Sequence, residues 1–230
     1  LKNAKFFGSI FKRKLDLNDN ENLVLNNTQP QYQNLSPENQ KRKEQNDCLQ
    51  ILNLTHNYGN LNVINNFNGE FFSNEIFCLL GNNGAGKTTL LNIISGIINP
   101  SEGDITYKGI SLMSNKSDLY QKISICPQEN ILFEYLTVFE HLLLFQGLKL
   151  KSINHDEINN LIKELDLLDK EDIPCGQLSY GEKRKLSIAL SLIGNSQIII
   201  MDEPTDGMDP ITKKSFWNLL KNYKNDKIII

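Results

Sequence analysis

The pattern of hydrophobic and polar positions changes near residue 48. Residues 1–47 are mostly polar and show neither the alternation of a strand nor the periodicity of a helix. They carry two basic runs, at 12–14 and 41–43. We predict a flexible linker there, because such a segment buries too little apolar surface to fix its conformation. The aromatic stretch 6–11 beside the first basic run fits either a juxtamembrane position or a stray apolar patch in a tail.

After residue 48 the pattern predicts strands alternating with helices. Residues 49–54 alternate apolar and polar positions, as in a half-buried strand. Near-continuous apolar runs at 75–80 and 198–201 predict buried parallel strands, and 227–230 begins a third. Helical spacing at 90–98 stops before a proline. This order predicts an α/β fold with a mostly parallel sheet.

A helical block, from about residue 129 to about residue 180, interrupts the predicted strands. Thr137 and Glu140 have the spacing of a capping box, in which each side chain bonds to the backbone of the other residue. One helical face is predicted to collect the apolar residues Ile158, Leu161, Ile162, Leu165 and Leu168. The block therefore reads as an inserted helical subdomain within a domain that spans 48–230.

Composition and charge narrow the classes of function. The chain has 230 residues, enough for one domain with a tail, and a net charge of −3, so it lacks the basic surplus typical of nucleic-acid binding. Its four cysteines lack metal-ligand spacing, which favours reduced thiols in a cytosolic domain. No apolar run reaches the ~18 residues of a membrane span. Because the chain begins with Leu1 and stops inside an apolar run, we expect a fragment.

A glycine-rich segment lies between a predicted buried strand and a predicted helix. It has the G-x-x-x-x-G-K-[ST] pattern and reads Gly81, Asn82, Asn83, Gly84, Ala85, Gly86, Lys87, Thr88, followed by Thr89. Glycines let backbone amides turn toward a phosphate, and the helix adds its positive end. Lys87 would reach the β- and γ-phosphates and Thr88 would bind Mg²⁺. The pattern predicts a nucleotide site without choosing among GTPase, kinase and ATPase.

Two acids follow the predicted strand 198–201. Asp202 and Glu203 would lie at the carboxyl edge of the sheet, where open α/β sheets bind ligands. Asp202 would hold Mg²⁺ and Glu203 would act as the general base toward the attacking water. The alternative interpretation is that the two acids only end the strand at a turn. The glycine-rich segment makes this alternative less favoured, because it predicts a nucleotide site in the same chain.

The segment Ser179, Tyr180, Gly181, Glu182 precedes a predicted helix and offers a hydroxyl and an amide at its N-terminus. Together with the glycine-rich segment and the acid pair, it resembles the signature motif of ATP-binding cassette (ABC) proteins. The resemblance implies that this segment faces the γ-phosphate bound by a second cassette, so that two ATP molecules lie between head-to-tail partners.

The resemblance covers the chain from about residue 48 and implies further roles. Tyr58 matches the aromatic residue that stacks on adenine, and Gln128 matches a glutamine that senses Mg²⁺ and water and couples to the membrane domain. Asp209 matches the D-loop aspartate that reaches across the dimer. The implied fold is a P-loop NTPase core with a mostly parallel sheet, an N-terminal antiparallel β region and an inserted helical subdomain.

Finer features are similar to subfamily A, whose members largely move lipids: the runs 126–142, 183–187 and 207–210. Two positions depart from the usual signature, since Tyr180 and Glu182 replace a glycine and a glutamine and could weaken the composite site. The switch histidine expected after the strand begun at 227 lies beyond the chain. We therefore expect the chain alone to bind MgATP but to hydrolyse it weakly. His56, His141 and His155 are wrongly placed for that role.

The leading hypothesis is a nucleotide-binding domain that hydrolyses MgATP in a cassette dimer and powers transmembrane transport, of lipids if the subfamily resemblance holds. Its partners would be a second cassette and transmembrane domains, at the cytoplasmic face of a membrane, with no nucleic acid. Two alternatives stay open. One is a soluble ABC ATPase without a transport role, and the other is a regulatory ATP-binding half with a degenerate site.

Overall fold

The computed structural model of the protein describes residues 11–14, 36–114, 116–150 and 152–230. None of the helices in these ranges is long and apolar enough to cross a bilayer. The elements, in chain order, are β1 (Phe11–Lys14), α1 (Pro37–Glu44), β2 (Leu49–Tyr58), β3 (Leu61–Phe71), β4 (Glu75–Leu80), α2 (Lys87–Ile94), β5 (Glu102–Tyr107), β6 (Ile110–Ser111), α3 (Lys116–Lys122), β7 (Ile123–Cys126), α4 (Val138–Lys149), α5 (His155–Glu164), α6 (Tyr180–Leu192), β8 (Ile198–Met201), α7 (Pro210–Tyr223) and β9 (Ile228–Ile229). Two 3-10 turns, Leu168–Lys170 and Cys175–Gln177, lie between α5 and α6.

The chain divides into two units, of which the first holds residues up to 119 together with 228–230. Its antiparallel sheet has the strand order β3-β2-β5-β6. Leu49 of β2 lies opposite Phe71 of β3 on one side and Tyr107 of β5 on the other, and all three are buried. The register of β2 shifts after Ile51, beside Asn53 with its φ of +48°. This sheet is the predicted antiparallel β region.

Strand β4 of the same unit pairs in parallel with β9 and antiparallel with β1. Helix α2 follows it and buries Leu90, Leu91, Ile93 and Ile94. The sequence pattern extended this helix to residue 98, which is wrong. The helix ends at Ile94 because Gly96 adopts a left-handed φ of +78°, and Ile97 is 62% exposed.

The second unit holds residues 120–227 and is built around the parallel pair β7 and β8. Their register runs from Ile123 opposite Ile198 to Cys126 opposite Met201. All four residues of β8 are buried, as a strand covered on both faces requires. Helix α6 packs against both strands, and α4 packs against α5 and α6. The α/β fold class is therefore confirmed.

The helical block 129–180 contains α4, α5 and the two 3-10 turns. Its capping box is present: Thr137 Oγ1 accepts from the Glu140 amide at 3.1 Å, and the Glu140 carboxylate accepts from the Thr137 amide at 2.8 Å. The predicted apolar face is buried as far as Leu165, but Leu168 is 61% exposed. Helix α5 ends at Glu164 and Asp166 turns with a φ of +55°, which breaks the helical register before Leu168.

The predicted linker 1–47 contains regular structure where it is described. Strand β1 and the eight-residue helix α1 both fall within it. Ser36 caps α1 and Pro37 occupies its first turn, and both residues favour the start of a helix. The helix buries no residue, so a hydrophobic periodicity could not have predicted it. The expectation of an irregular segment is corrected at these two stretches. Residues 1–10, with most of the aromatic stretch, and 15–35 lie outside the described residues, so the linker and its boundary at 47 stay predictions.

Candidate functional site

The glycine-rich loop of residues 81–86 connects β4 to α2. Gly86 closes the loop with a φ of +90° and directly precedes the helix. A Cβ on Gly86 would lie 3.1 Å from both Cγ1 and the carbonyl oxygen of Val63, a tight contact, and the φ of +90° would strain any residue with a Cβ there. Around Gly84 a Cβ would meet nothing within 4 Å, so this part of the loop faces open space. The loop is tight on one side and accessible on the other.

Charge and unpaired amides at this loop favour an anion. Gly86 has no side chain to cap α2, so the first amides of the helix need a partner from outside it. Lys87 Nζ folds over the loop and donates to the carbonyl oxygens of Gly81 at 2.8 Å and Asn82 at 3.2 Å. The Thr88 side chain is exposed in the first helical turn. An ammonium and a positive helix end at one open loop fit a nucleotide phosphate.

The other predicted loop residues frame this arrangement. Asn82 and Asn83 are exposed, Ala85 is buried and Thr89 is half-buried. In the same unit, Tyr58 ends β2 with 49% of its surface exposed, which leaves ring area free for stacking. The ring of His56 meets it edge-on at 4.7 Å between centroids. His56 itself is buried, and neither ring nitrogen has a hydrogen-bond partner among the described residues.

Gln128 and Glu203, both predicted as catalytic, lie together in the second unit. The parallel strands β7 and β8 end side by side, so the segments that follow them emerge at the same edge. Gln128 Nε2 donates to Glu203 Oε2 at 3.1 Å, and both side chains are exposed. The Asp202 amide donates to the Cys126 carbonyl at 2.9 Å, which ties the two segments together at their base.

The backbone of Glu203 is strained. Its φ is +46°, in the left-handed region that a glutamate rarely adopts, and such a conformation costs about 1–3 kcal/mol unless its surroundings enforce it. Asp202, one residue earlier, is half-buried. The described residues contain no group of three or more His, Cys, Asp or Glu side chains able to hold a metal. A metal here would need further oxygen ligands, which suits Mg²⁺ with phosphate and water.

Arg184 is a residue that the sequence analysis missed as part of the site. It is fully buried on α6, and its guanidinium donates to the main-chain carbonyl oxygens of Gln128 and Glu203. Arg184 lies within the run 183–187 that is similar to subfamily A, but no sequence pattern gave it a role in the site. Its spacing of four residues from the apolar Ile188 was a signal that this position faces inward.

The signature segment forms the N-terminus of α6. Ser179 Oγ accepts from the Glu182 amide at 3.3 Å, and the Glu182 carboxylate accepts from the Ser179 amide at 2.7 Å, a second capping box. The hydrogen bonds from Ser179 lower the pKa of the Glu182 carboxyl, and Lys170 Nζ lies 3.8 Å from it. The Glu182 carboxylate therefore interacts with the N-terminus of its own helix. Around Gly181 a Cβ would meet open space.

Tyr180 lies against Gly207, which precedes the predicted D-loop aspartate. A Cβ on Gly207 would come within 2.6 Å of the Tyr180 ring, and the φ of Gly207 is +68°. Asp209 caps α7: its Oδ1 accepts from the amides of Ile211 at 2.9 Å and Thr212 at 3.1 Å. The hydrogen bond from the Thr212 hydroxyl, followed by those from the two amides, lowers the pKa of the Asp209 carboxyl.

The two remaining histidines have packing roles. His141 is buried, with Nε2 accepting from the Phe133 amide at 2.9 Å and Nδ1 bonded to the Thr137 carbonyl at 2.8 Å. Burial lowers the pKa of His141, which keeps the ring neutral. His155 stacks on Phe139 with 5.9 Å between ring centroids.

Comparison with known proteins places these features in one family. The model of the ABC transporter family matches residues 64–206, more than half of the chain. The chain belongs to the ABC transporter family. The match includes the glycine-rich loop, Gln128, the signature segment and the acid pair. The resemblance predicted from those motifs is therefore confirmed.

Its relatives include members of subfamily A. The mouse retinal-specific phospholipid-transporting ATPase ABCA4 is 38% identical over 170 residues, which are 73% of this chain and 7% of that protein. The mouse glucosylceramide transporter ABCA12 is 33% identical over 220 residues, 91% of this chain and 8% of that protein. The chain thus spans less than a tenth of the length of these relatives. The subfamily resemblance is confirmed.

Solved structures show the same fold. A Pyrococcus furiosus protein described as an ABC transporter ATP-binding protein superposes with a TM-score of 0.70 and 27% identity. The alignment covers 80% of this chain and 89% of that one. The predicted P-loop NTPase architecture is therefore that of an ABC ATP-binding domain.

Proposed function

We propose that this chain binds MgATP and hydrolyses it as the nucleotide-binding domain of a transporter. The observation that carries the proposal is the 3.1 Å hydrogen bond between Gln128 and Glu203 at the common edge of β7 and β8. It holds an exposed carboxylate where open α/β sheets bind ligands. Membership of the ABC transporter family supports the choice of ATPase over other P-loop enzymes.

Binding is assigned to the first unit. Lys87 and the amides of the glycine-rich loop bind the phosphates. On binding, the Lys87 ammonium leaves the loop carbonyls to which it now donates and contacts the phosphates instead. Tyr58 offers its exposed ring to adenine. Bound Mg²⁺ would supply neutralisation of phosphate charge. Thr88 of this unit would contribute an oxygen ligand to it, with phosphate and water in the shell.

Hydrolysis is assigned to Glu203 of the second unit and to Gln128 beside it. The oxygen of the attacking water bonds to the γ-phosphorus, and Glu203 accepts a proton from that water. The bond between the γ-phosphorus and the β,γ-bridging oxygen breaks, which yields ADP and inorganic phosphate. Gln128 fixes the orientation of that carboxylate. Lys87 stabilises the charge that develops on the phosphate oxygens.

A second cassette completes the proposed site. The exposed N-terminus of α6, formed by Ser179, Tyr180, Gly181 and Glu182, would meet the γ-phosphate bound by the partner. Asp209 would lie at that contact. Two relatives are named as a phospholipid-transporting ATPase and a glucosylceramide transporter, and we extend lipid transport to this chain. It would then act with transmembrane domains at the cytoplasmic face of a membrane, without nucleic acid.

The test measures ATP affinity with a fluorescent ATP analogue and phosphate release from ATP. Lys87→Ala should weaken binding at least about 10-fold, because it removes the ammonium of the loop. Glu203→Gln should bind as well as the wild type, while phosphate release falls about 100-fold. Glu134→Gln, at an exposed carboxylate of the same unit, is the control and should leave both values unchanged.

Wild-type hydrolysis by Glu203→Gln would contradict the proposed role of that residue. Binding without hydrolysis by the wild type, in the presence of a second cassette, would favour the regulatory alternative. The exposed ring of Tyr180 at the α6 N-terminus, where the usual signature has glycine, is the observation that supports that alternative.

A further inference from the structure

Arg184 carries a buried positive charge whose partners are neutral. Its exposure is 0%, and burying a guanidinium is costly unless its donors are satisfied. Nε donates to the Pro204 carbonyl at 2.9 Å, Nη1 to the carbonyls of Pro127 at 2.6 Å and Gln128 at 3.0 Å, and Nη2 to those of Asp202 and Glu203, both at 2.8 Å. The Asn130 side-chain oxygen lies 3.5 Å from Nη1.

These acceptors belong to two segments that are distant in sequence. One follows β7 and the other follows β8, and the strand pairing between β7 and β8 ends at Cys126 and Met201. Beyond that point, Arg184 joins the segments through two carbonyls of the first and three of the second. Five donors in a fixed planar fork match such a set, which the compact ammonium of lysine cannot.

These hydrogen bonds hold the backbone of Glu203, the strained residue of the site. Arg184 binds the carbonyls of Asp202, Glu203 and Pro204, so the peptide groups on both sides of the Glu203 α-carbon are held. A left-handed glutamate persists only where its surroundings enforce that conformation. Arg184 holds this backbone together with the Asp206 amide, which donates to the Glu203 carbonyl at 3.1 Å. The orientation of the Glu203 side chain follows from that backbone.

We propose that Arg184 is a positioning residue for hydrolysis: it fixes the backbones of Gln128 and Glu203 so that the two side chains meet. The inference rests on the proposed function, since it needs Glu203 to act as the base. Among the residues that the structure describes, the hydrogen bonds of the Arg184 guanidinium go to main-chain carbonyls and one amide oxygen, so its effect passes through the residues whose backbone it holds.

The first experiment compares Arg184→Lys with Ile188→Ala, which removes a fully buried side chain one turn later on α6. Melting temperature, ATP affinity, KM and kcat are measured, with kinetics well below both melting temperatures. We expect Arg184→Lys to lower kcat at least about 10-fold while KM and ATP affinity stay within about threefold, as for loss of a transition-state interaction. Ile188→Ala should lower the melting temperature and leave kcat within about threefold.

An Arg184→Lys kcat within threefold of the wild type would overturn the proposal. So would an equal loss of kcat in Ile188→Ala, since general destabilisation would then explain both. If Arg184→Lys does not fold, Arg184→Gln replaces it, because a neutral amide removes the buried charge together with most of the donors. The same kcat criterion applies to it.

The second experiment places Arg184→Lys in the Glu203→Gln background. If Arg184 acts by positioning Glu203, the double variant should retain the residual rate of Glu203→Gln to within about twofold, because coupled residues are not additive. A further loss as large as that in the wild-type background would overturn the positioning role. Wild-type hydrolysis by Glu203→Gln alone would instead contradict the proposed function, so the two failures are distinguishable.

Discussion

Lys149 allows a prediction on stability that is independent of ATP. It ends α4 with its ammonium inside the second unit, where Nζ donates to the hydroxyl of Ser124 and, at 3.3 Å, to the hydroxyl of Ser196 and the carbonyl of Ile193. Burial lowers the pKa of Lys149 to about 8, partly offset by the charge of Glu157. Lys149→Met removes the titrating group and keeps a side chain of similar length.

The size of the effect follows from proton linkage. Folded Lys149 loses its proton near pH 8, whereas in the unfolded chain it does so near 10.5, so between these values the unfolded state binds more protons. The free energy of unfolding therefore rises with pH across this window. A shift of this size corresponds to about 3 kcal/mol. The Cys126 thiol, whose pKa burial raises to about 11, acts in the opposite direction, but it is present in both proteins and cancels in their difference.

The assay is urea unfolding, followed by the fluorescence of Trp217, at pH values from 7.5 to 10.5 with a reductant. We expect the stability of the wild type, relative to Lys149→Met, to increase by about 3 kcal/mol from the lowest to the highest pH. Lys163→Met, at an exposed lysine of α5, is the control and should give a flat difference. A wild-type minus Lys149→Met difference constant within about 0.5 kcal/mol would refute the reasoning.

Two further predictions concern single contacts. Gly207→Ala should destabilise the protein by about 1–3 kcal/mol, because the φ of +68° strains a residue with a Cβ and the Tyr180 ring occupies its space. Tyr180→Ala should recover part of that loss in urea unfolding, and a double variant no more stable than Gly207→Ala would exclude the contact as a cause. Thr137→Ala should cost about 1 kcal/mol by opening the capping box with Glu140. An unchanged urea midpoint would contradict the contribution of that cap.

The sequence alone determined the features that depend on neighbours along the chain. The strand 75–80, and the presence of a helix after the glycine-rich turn, follow from apolar runs on either side of that turn. The capping box of Thr137 follows from a three-residue spacing. A family motif is equally local, so residue types and their spacing were enough to identify the glycine-rich loop. The roles of its residues in binding ATP stay predictions until the affinity of Lys87→Ala is measured.

Tertiary structure decided which distant groups meet. Arg184 and the Pro127 carbonyl are 57 positions apart, and Gln128 and Glu203 are 75 apart, so no periodicity encodes either contact. The buried ammonium of Lys149 donates to hydroxyls from two other segments of the chain. The residues next to Lys149 in the sequence do not indicate these contacts. Local sequence patterns indicate the backbone conformation of a segment and which face of a helix or strand is apolar. The partner of a buried charge depends on how strands and helices pack, and packing joins residues that are remote in the chain.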